Sequence, residues 1–123
     1  MIKIGLTGSR GWLGSYVKSK LEIKYEIINL DDFTKDPLAK NNLNDNLKLD
    51  WVFHFGAKTN IAQSFDNPFE INKLNILSTI SALEIAYKNN AKFLFLSSYI
   101  YGEPQYNPID EEHPIKPNNP YMI

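Results

Sequence analysis

Apolar residues along the chain fall into short continuous runs separated by longer periodic stretches. Residues 2–6 (IKIGL) read as a short buried strand. Residues 12–23 carry Leu13, Val17 and Leu21 at four-residue spacing, the period of a helix with one apolar face. Residues 25–30 are β-rich and end in Asp31–Asp32, and residues 50–55 form another apolar run. Over residues 68–89 a longer helix is expected, with Ile71, Leu74, Leu77, Ile80 and Leu83 recurring every third position and Asn89–Asn90 as its stop. Residues 93–96 complete the set as a further buried strand. The polar, Asn- and Lys-rich stretch 33–49 is expected to hold one short helix and a weak strand. From Gly102 onward Pro104, Pro108, Pro114, Pro117 and Pro120 predict an extended loop over the surface. Strands alternating with helices predict βαβ units, a parallel sheet and the α/β class.

Composition narrows what such a fold could serve. The 123 residues suit one modest domain with one core. A hydrophobic share of 43% and an aromatic share of 13% mark a globular chain rather than a disordered one. A net charge of −1 provides no field toward nucleic acid or membranes. No apolar run approaches the roughly 18 residues of a membrane span, and no signal-peptide pattern precedes the first strand. A cytoplasmic location is the expectation. Without cysteine there are no disulfides or thiolate metal sites, and His54 and His113 alone make no metal cluster. His54, between Phe53 and Phe55 on a buried strand, reads as a structural group.

The densest signal is "LTGSRGWLG", residues 6–14, where three glycines sit between the first strand and the first helix. Gly8 can take the tight turn out of the strand. Gly11, lacking Cβ, would let a pyrophosphate approach the backbone, and Gly14 would let the helix lie close to the sheet. No Lys-Ser or Lys-Thr follows, so a P-loop is excluded. A carboxylate about 20 residues further on is the companion signal of a dinucleotide site, and Asp31–Asp32 stand there. Such a carboxylate accepts from ribose hydroxyls and repels a 2′-phosphate, which favours NAD. Arg10 in the loop argues the other way, because a guanidinium could hold the 2′-phosphate of NADP.

The later segments match a known pattern in order. "WVFHFGAKTN" (51–60), "NPFEINKLNILSTISALEIA" (67–86), "FLFLSSYIYGEP" (93–104) and "PIDEEHPIKPNNPY" (108–121), together with the glycine loop, resemble the extended short-chain dehydrogenases/reductases of the NAD-dependent epimerase/dehydratase family. That resemblance implies a Rossmann-like, doubly wound parallel sheet with helices on both faces. It implies Gly8, Gly11 and Gly14 as the pyrophosphate loop, with Arg10, Trp12 and Leu13 supplying amides. Asp31 takes the place of the ribose-binding acid. Phe55, Gly56 and Ala57 correspond to the strand end along the cofactor, with Gly56 where alanine is usual. Lys58 stands at a position that often faces the cofactor, and Asn75 at the helix asparagine that supports the site from behind. Ser97, four residues before Tyr101, corresponds to the catalytic serine, and Tyr121 to the tyrosine of a Tyr-x-x-x-Lys pair.

The lysine of that pair would fall two residues past Ile123. The chain therefore reads as the N-terminal part of one NAD(P)-binding Rossmann domain, with the C-terminal part of the sheet and the substrate domain missing. A phenol has a pKa of about 10, and in the family the lysine and the nicotinamide lower it, so this length alone is expected to be inactive. The implied whole is a nucleotide-sugar epimerase or dehydratase, a homodimer, working by hydride transfer at a sugar carbon. Ser98-Tyr99 after Ser97 disfavours a 4,6-dehydratase, which has Asp-Glu there. An NADP-dependent 4-keto-sugar reductase and an inactive dinucleotide-binding module are the alternatives.

Overall fold

A computed structural model describes residues 1–32, 47–98 and 100–122. Most of the stretch expected to hold a short helix and a weak strand lies outside the described residues. The elements are β1 (Lys3–Thr7), α1 (Trp12–Leu21), β2 (Glu26–Asn29), β3 (Trp51–His54), α2 (Ile61–Asp66), α3 (Pro68–Lys88), β4 (Lys92–Phe95) and a single 3₁₀ turn, Pro120–Met122. The four strands form one parallel sheet in the order β2-β1-β3-β4. Leu6 lies opposite Asn29 on one side and Phe53 on the other. The chain steps outward from β1 to β2 and then returns to the far side of β1. That reversal opens a crevice at the carboxyl end of β1, where the glycine loop begins.

The chain divides into two compact units, Met1–Ala57 with Leu74–Leu96, and Lys58–Lys73 with Ser97–Ile123. The first holds the sheet. Its core joins Leu30, Leu49 and Val52 to Ala82, Ile85 and Ala86, with Ile28, Leu47, Ala91 and Phe93 packed against them. β1 is buried from Ile4 to Thr7, as a strand flanked on both sides in a parallel sheet must be.

The face that α3 buries differs from the one expected. Of the expected run, Ile71 is buried and Leu77 half-buried, whereas Leu74, Ile80 and Leu83 are exposed along with Ile76 and Tyr87; Ser81, Ala82, Ile85 and Ala86 are buried instead. Positions three apart are about 300° apart around a helix, so the run 71-74-77-80-83 sweeps around the axis instead of holding one side. The buried side carries Ser81, Ala82, Ile85 and Ala86, and Ala82, Ile85 and Ala86 pack with Val52 of β3 in the core.

A buried polar chain runs through this core. Thr7 Oγ1 accepts from the Phe55 amide at 3.1 Å and the Gly56 amide at 3.0 Å. It also lies 2.8 Å from His54 Nδ1, while His54 Nε2 lies 3.0 Å from Thr79 Oγ1. Thr79 donates to the Asn75 carbonyl at 2.8 Å. Donor counting assigns the protons. With both acceptor positions taken by amides, the Thr7 hydroxyl donates to Nδ1. The His54 proton therefore sits on Nε2 and is given to Thr79, whose own proton goes to Asn75. His54 is neutral, and burial holds its pKa below the usual histidine range.

In the second unit, α2 starts at Asn60, whose side chain accepts from the Gln63 amide at 3.0 Å. The proline-rich segment is irregular and mostly exposed, as expected, but it has an anchor. His113 is buried, its Nε2 accepts from the Gln105 amide and its Nδ1 donates to the Pro114 carbonyl, each at 3.0 Å. Tyr106 and Tyr101 pack on its ring at centroid distances of 4.7 and 5.6 Å. Gly102 has φ +66°, and a Cβ there would overlap the Lys116 carbonyl. No helix among the described residues is long and apolar enough to cross a membrane.

Replacing Thr7 by valine keeps the shape and removes the hydroxyl, leaving the Gly56 amide and an imidazole nitrogen unpartnered and the Phe55 amide with only its 3.4 Å bond to the Thr7 carbonyl. Each such buried group costs about 1–3 kcal/mol. Thr7→Val should therefore lower the urea midpoint well beyond Thr7→Ser, which loses one methyl, worth about 0.8 kcal/mol. Equal midpoints for the two variants would show that the hydroxyl carries no such role.

Candidate functional site

The three glycines of the loop are required for three different reasons. Gly8 has φ +72°, and a Cβ there would lie 2.7 Å from the Gly56 nitrogen and the Phe55 carbonyl carbon. It is a left-handed residue wedged against the end of β3. A Cβ on Gly14 would overlap the Gly8 carbonyl and crowd Ser9. Its close neighbour is thus the loop backbone, rather than the sheet face expected from sequence. Gly11 is different. It has an ordinary φ of −74°, and a Cβ would meet only the Gly8 oxygen, at 3.2 Å. Little inside the protein requires a glycine there, so the space it leaves opens outward.

Gly11 is also the N-cap of α1, and no side chain caps that helix. Its own amide donates to the Gly8 carbonyl at 2.9 Å, and the first intrahelical bond runs from the Ser15 amide to the Gly11 carbonyl. The amides of Trp12, Leu13 and Gly14 therefore precede the reach of the helical ladder. The first turn holds no acidic residue, and Lys18 and Lys20 sit in the last. The positive end of the helix dipole is left uncompensated, which suits an anion.

Asp31 sits just past β2 and is buried. Its Oδ1 accepts from the Gly8 and Ser9 amides, and its Oδ2 from Ser9 Oγ at 2.8 Å and Arg10 Nε at 3.3 Å. Burial alone would raise its pKa. The hydrogen bonds from the Ser9 hydroxyl and amide, Arg10 and Gly8 outweigh burial and hold it below the usual carboxylate range. The carboxylate expected to accept from a ribose therefore also holds the loop in shape. Arg10 spans two carboxylates, its Nη2 lying 2.9 Å from Asp32 Oδ1. Hydrogen bonds to Asp31 and then Asp32 push its already high pKa further up.

The remaining expected residues separate between the two units. Trp12 and Leu13 form the first turn of α1, Trp12 exposed and Leu13 half-buried. Phe55 and Gly56 are half-buried beside the loop, and Ala57 is exposed. Asn75 lies in α3 and receives the Thr79 hydroxyl on its carbonyl. Lys58, Ser97 and Tyr121 belong to the second unit. Ser97 is exposed two residues past β4, and Tyr121 is half-buried in the 3₁₀ turn, its amide donating to Asn119 Oδ1 at 3.1 Å. No hydrogen bond joins Ser97 to Tyr121 among the described residues. Their neighbours Ser98 and Met122 line an open cleft of about 540 Å³ with Ile61, Tyr101, Glu103 and Asn119.

Sequence reasoning missed Thr7 and Thr79, the partners of His54, and it missed α2. The signal for α2 was present: Asn60-x-x-Gln63 has the spacing of a helix N-terminus.

The loop geometry orders three substitutions. Gly8→Ala and Gly14→Ala should each lower the melting temperature markedly, whereas Gly11→Ala should cost only about 1 kcal/mol, the scale of a cap change. An equal loss at all three positions would contradict the outward opening at Gly11. Acid should act in two windows. The unfolded chain takes up protons on His54 below about pH 6.5, above the depressed folded pKa, so stability falls with pH there first. The stabilisation from Asp31 is fully present above about pH 4 and is lost as pH falls through its lower folded pKa. Urea midpoints against pH should show a smaller drop below pH 4 in Asp31→Asn than in the unmodified chain.

The NAD dependent epimerase/dehydratase family model matches residues 4–123. A Methanocaldococcus jannaschii protein, provisionally named UDP-glucose 4-epimerase, is 37% identical in an alignment covering 96% of this chain and 46% of that protein. The UDP-Glc/GlcNAc 4-epimerase from Campylobacter jejuni is similar in structure, with a TM-score of 0.84 at 26% identity over 99% of this chain and 45% of that one. The UDP-glucose 4-epimerase from Bifidobacterium longum, solved in complex with NAD+ and UDP, gives 0.80 at 25% identity over 98% and 44%. The chain thus spans about half the length of the relatives it matches. With its four parallel strands in Rossmann-like order and the glycine loop at the switch point, the chain belongs to the NAD-dependent epimerase/dehydratase family.

Proposed function

We propose that residues 1–123 form the NAD-binding part of a nucleotide-sugar epimerase. The observation that carries this reading is the uncapped first turn of α1, opened outward at Gly11 and held by the Asp31 clasp. The residues present suit a dinucleotide. The amides of Trp12, Leu13 and Gly14 would receive the pyrophosphate, with Gly11 leaving it room. Asp31 would hold the adenosine ribose hydroxyls, and the strand end at Phe55, Gly56 and Ala57 would line the cofactor. Lys58 and Asn75 support the same site in this reading. The UDP-glucose 4-epimerases among the relatives, one of them solved with NAD+ and UDP, support the choice of cofactor and of a nucleotide-sugar substrate.

Bound nicotinamide supplies a reversible hydride acceptor for a sugar carbon. The chain supplies the groups that handle the sugar hydroxyl. Ser97 holds and orients that hydroxyl. Tyr121 takes its proton as the carbon is oxidised and returns it when the carbon is reduced, the general acid/base role of a positioned side chain.

Titration calorimetry with NAD tests the cofactor reading. Gly11→Val places a branched side chain where the pyrophosphate must lie, so affinity should fall at least tenfold while the melting temperature stays near that of the unmodified chain. Unchanged affinity would remove the loop from the site. In the whole enzyme, Tyr121→Phe should abolish product formation from UDP-sugars while NAD still binds, and full turnover by that variant would overturn the role of Tyr121.

A further inference from the structure

Arg10 is the one residue of the loop whose chemistry suits a 2′-phosphate, yet the fold holds it elsewhere. Its guanidinium reaches two carboxylates in sequence neighbours, Nε to Asp31 at 3.3 Å and Nη2 to Asp32 at 2.9 Å. Asp31 has a reason to be where it is, since it also holds the amides of Gly8 and Ser9. Asp32 is placed differently: its side chain is 81% exposed, against 10% for Asp31. An exposed ion pair contributes little to stability. Its effect is on direction, because a planar guanidinium engaged along one edge cannot present that edge to another anion.

We propose that Asp32 is a specificity-determining residue, a latch that keeps Arg10 turned onto the acidic pair and away from a 2′-phosphate, and so commits the site to NAD. The inference rests on the dinucleotide reading above. With Asp32 in place, Arg10 and the two carboxylates sum to one negative charge, which disfavours a group bearing about two more. With asparagine at position 32 the sum is zero, and Nη2 loses its charged partner while the clasp on Gly8 and Ser9 remains. The guanidinium is then available to the phosphate that distinguishes NADP from NAD.

The test is a double-mutant cycle read as the ratio of NADP to NAD affinity by calorimetry, on the unmodified chain, Asp32→Asn, Arg10→Ala and the double variant. The ratio should rise at least tenfold toward NADP in Asp32→Asn. It should differ less than threefold between Arg10→Ala and the double variant, because the gain runs through Arg10. A ratio that does not move in Asp32→Asn overturns the latch. So does a tenfold gain that survives in the Arg10→Ala background, which would mean that Asp32 acts by its own repulsion. If the unmodified chain binds neither NAD nor NADP, the dinucleotide reading fails and the latch fails with it. Both residues are exposed, so melting curves of all four proteins should superimpose within a few degrees.

Discussion

One hydroxyl ties the central strands together at the end where the loop emerges. Thr7, the last residue of β1, accepts from the Phe55 and Gly56 amides just past β3 and donates to the His54 ring. The sheet ladder fades at that point: the Phe55 amide keeps only a 3.4 Å bond to the Thr7 carbonyl, and the half-buried Gly56 amide would otherwise lack a strand partner, a cost comparable to a lost hydrogen bond. The hydroxyl closes the gap and brings the β3 end against the next residue of the chain, Gly8. Only a residue without Cβ and with positive φ fits in the space that remains. The conformation of the loop therefore starts from a side chain that lies outside its glycine pattern.

From Gly8 the constraint passes in two directions. Toward α1, the Gly8 carbonyl receives the Gly11 amide and lies against Gly14, which sets how the helix starts. Toward β2, the Gly8 amide is held by Asp31, together with the amide and hydroxyl of Ser9. The outward space at Gly11 and the bare amides beyond it are what remain after every inward-facing group has been satisfied. Among the described residues no buried side-chain polar atom is left without a partner. On the backbone, the first turn of α1 lies before the helical ladder begins, with Trp12 exposed, Leu13 half-buried and Gly14 buried.

Much of this was legible because it is local. Strand runs, the glycine spacing and the acid after β2 depend on residues within a few positions of one another, and the observed strands fall within one or two residues of the expected ones. The buried face of α3 was not legible. Leu74, Ile80 and Leu83 are the larger apolar residues, yet the sheet side takes Ala82, Ile85 and Ala86, because the side of a helix that meets the core is chosen by its neighbours in the fold and not by bulk alone. The partnership of Thr7, His54 and Thr79 was hidden for another reason: 47 positions separate the first two and 25 the last two. Nothing in the local pattern of a threonine says which distant ring it will meet. His113 is similar in kind, since its burial comes from Tyr101, Tyr106 and the Gln105 amide closing around it, and a proline-rich segment gives no periodicity from which to infer a centre.

The polar chain has a consequence for how this sequence can change over time. Every link has its proton assigned by the link before it, so no member can be exchanged singly for an apolar residue without leaving a donor or acceptor stranded in the core. A lineage that replaces His54 by leucine leaves the Thr7 and Thr79 hydroxyls each short of a partner, and one that loses the Thr7 hydroxyl strands the ring and the Gly56 amide. The routes to an all-apolar version pass through intermediates less stable than either end. Apolar exchanges at positions 7, 54 and 79 are therefore tied to one another, while exchanges that keep the hydroxyl, such as serine at position 7, stay open one at a time, so the three residues form a coupled unit written across two strands and a helix.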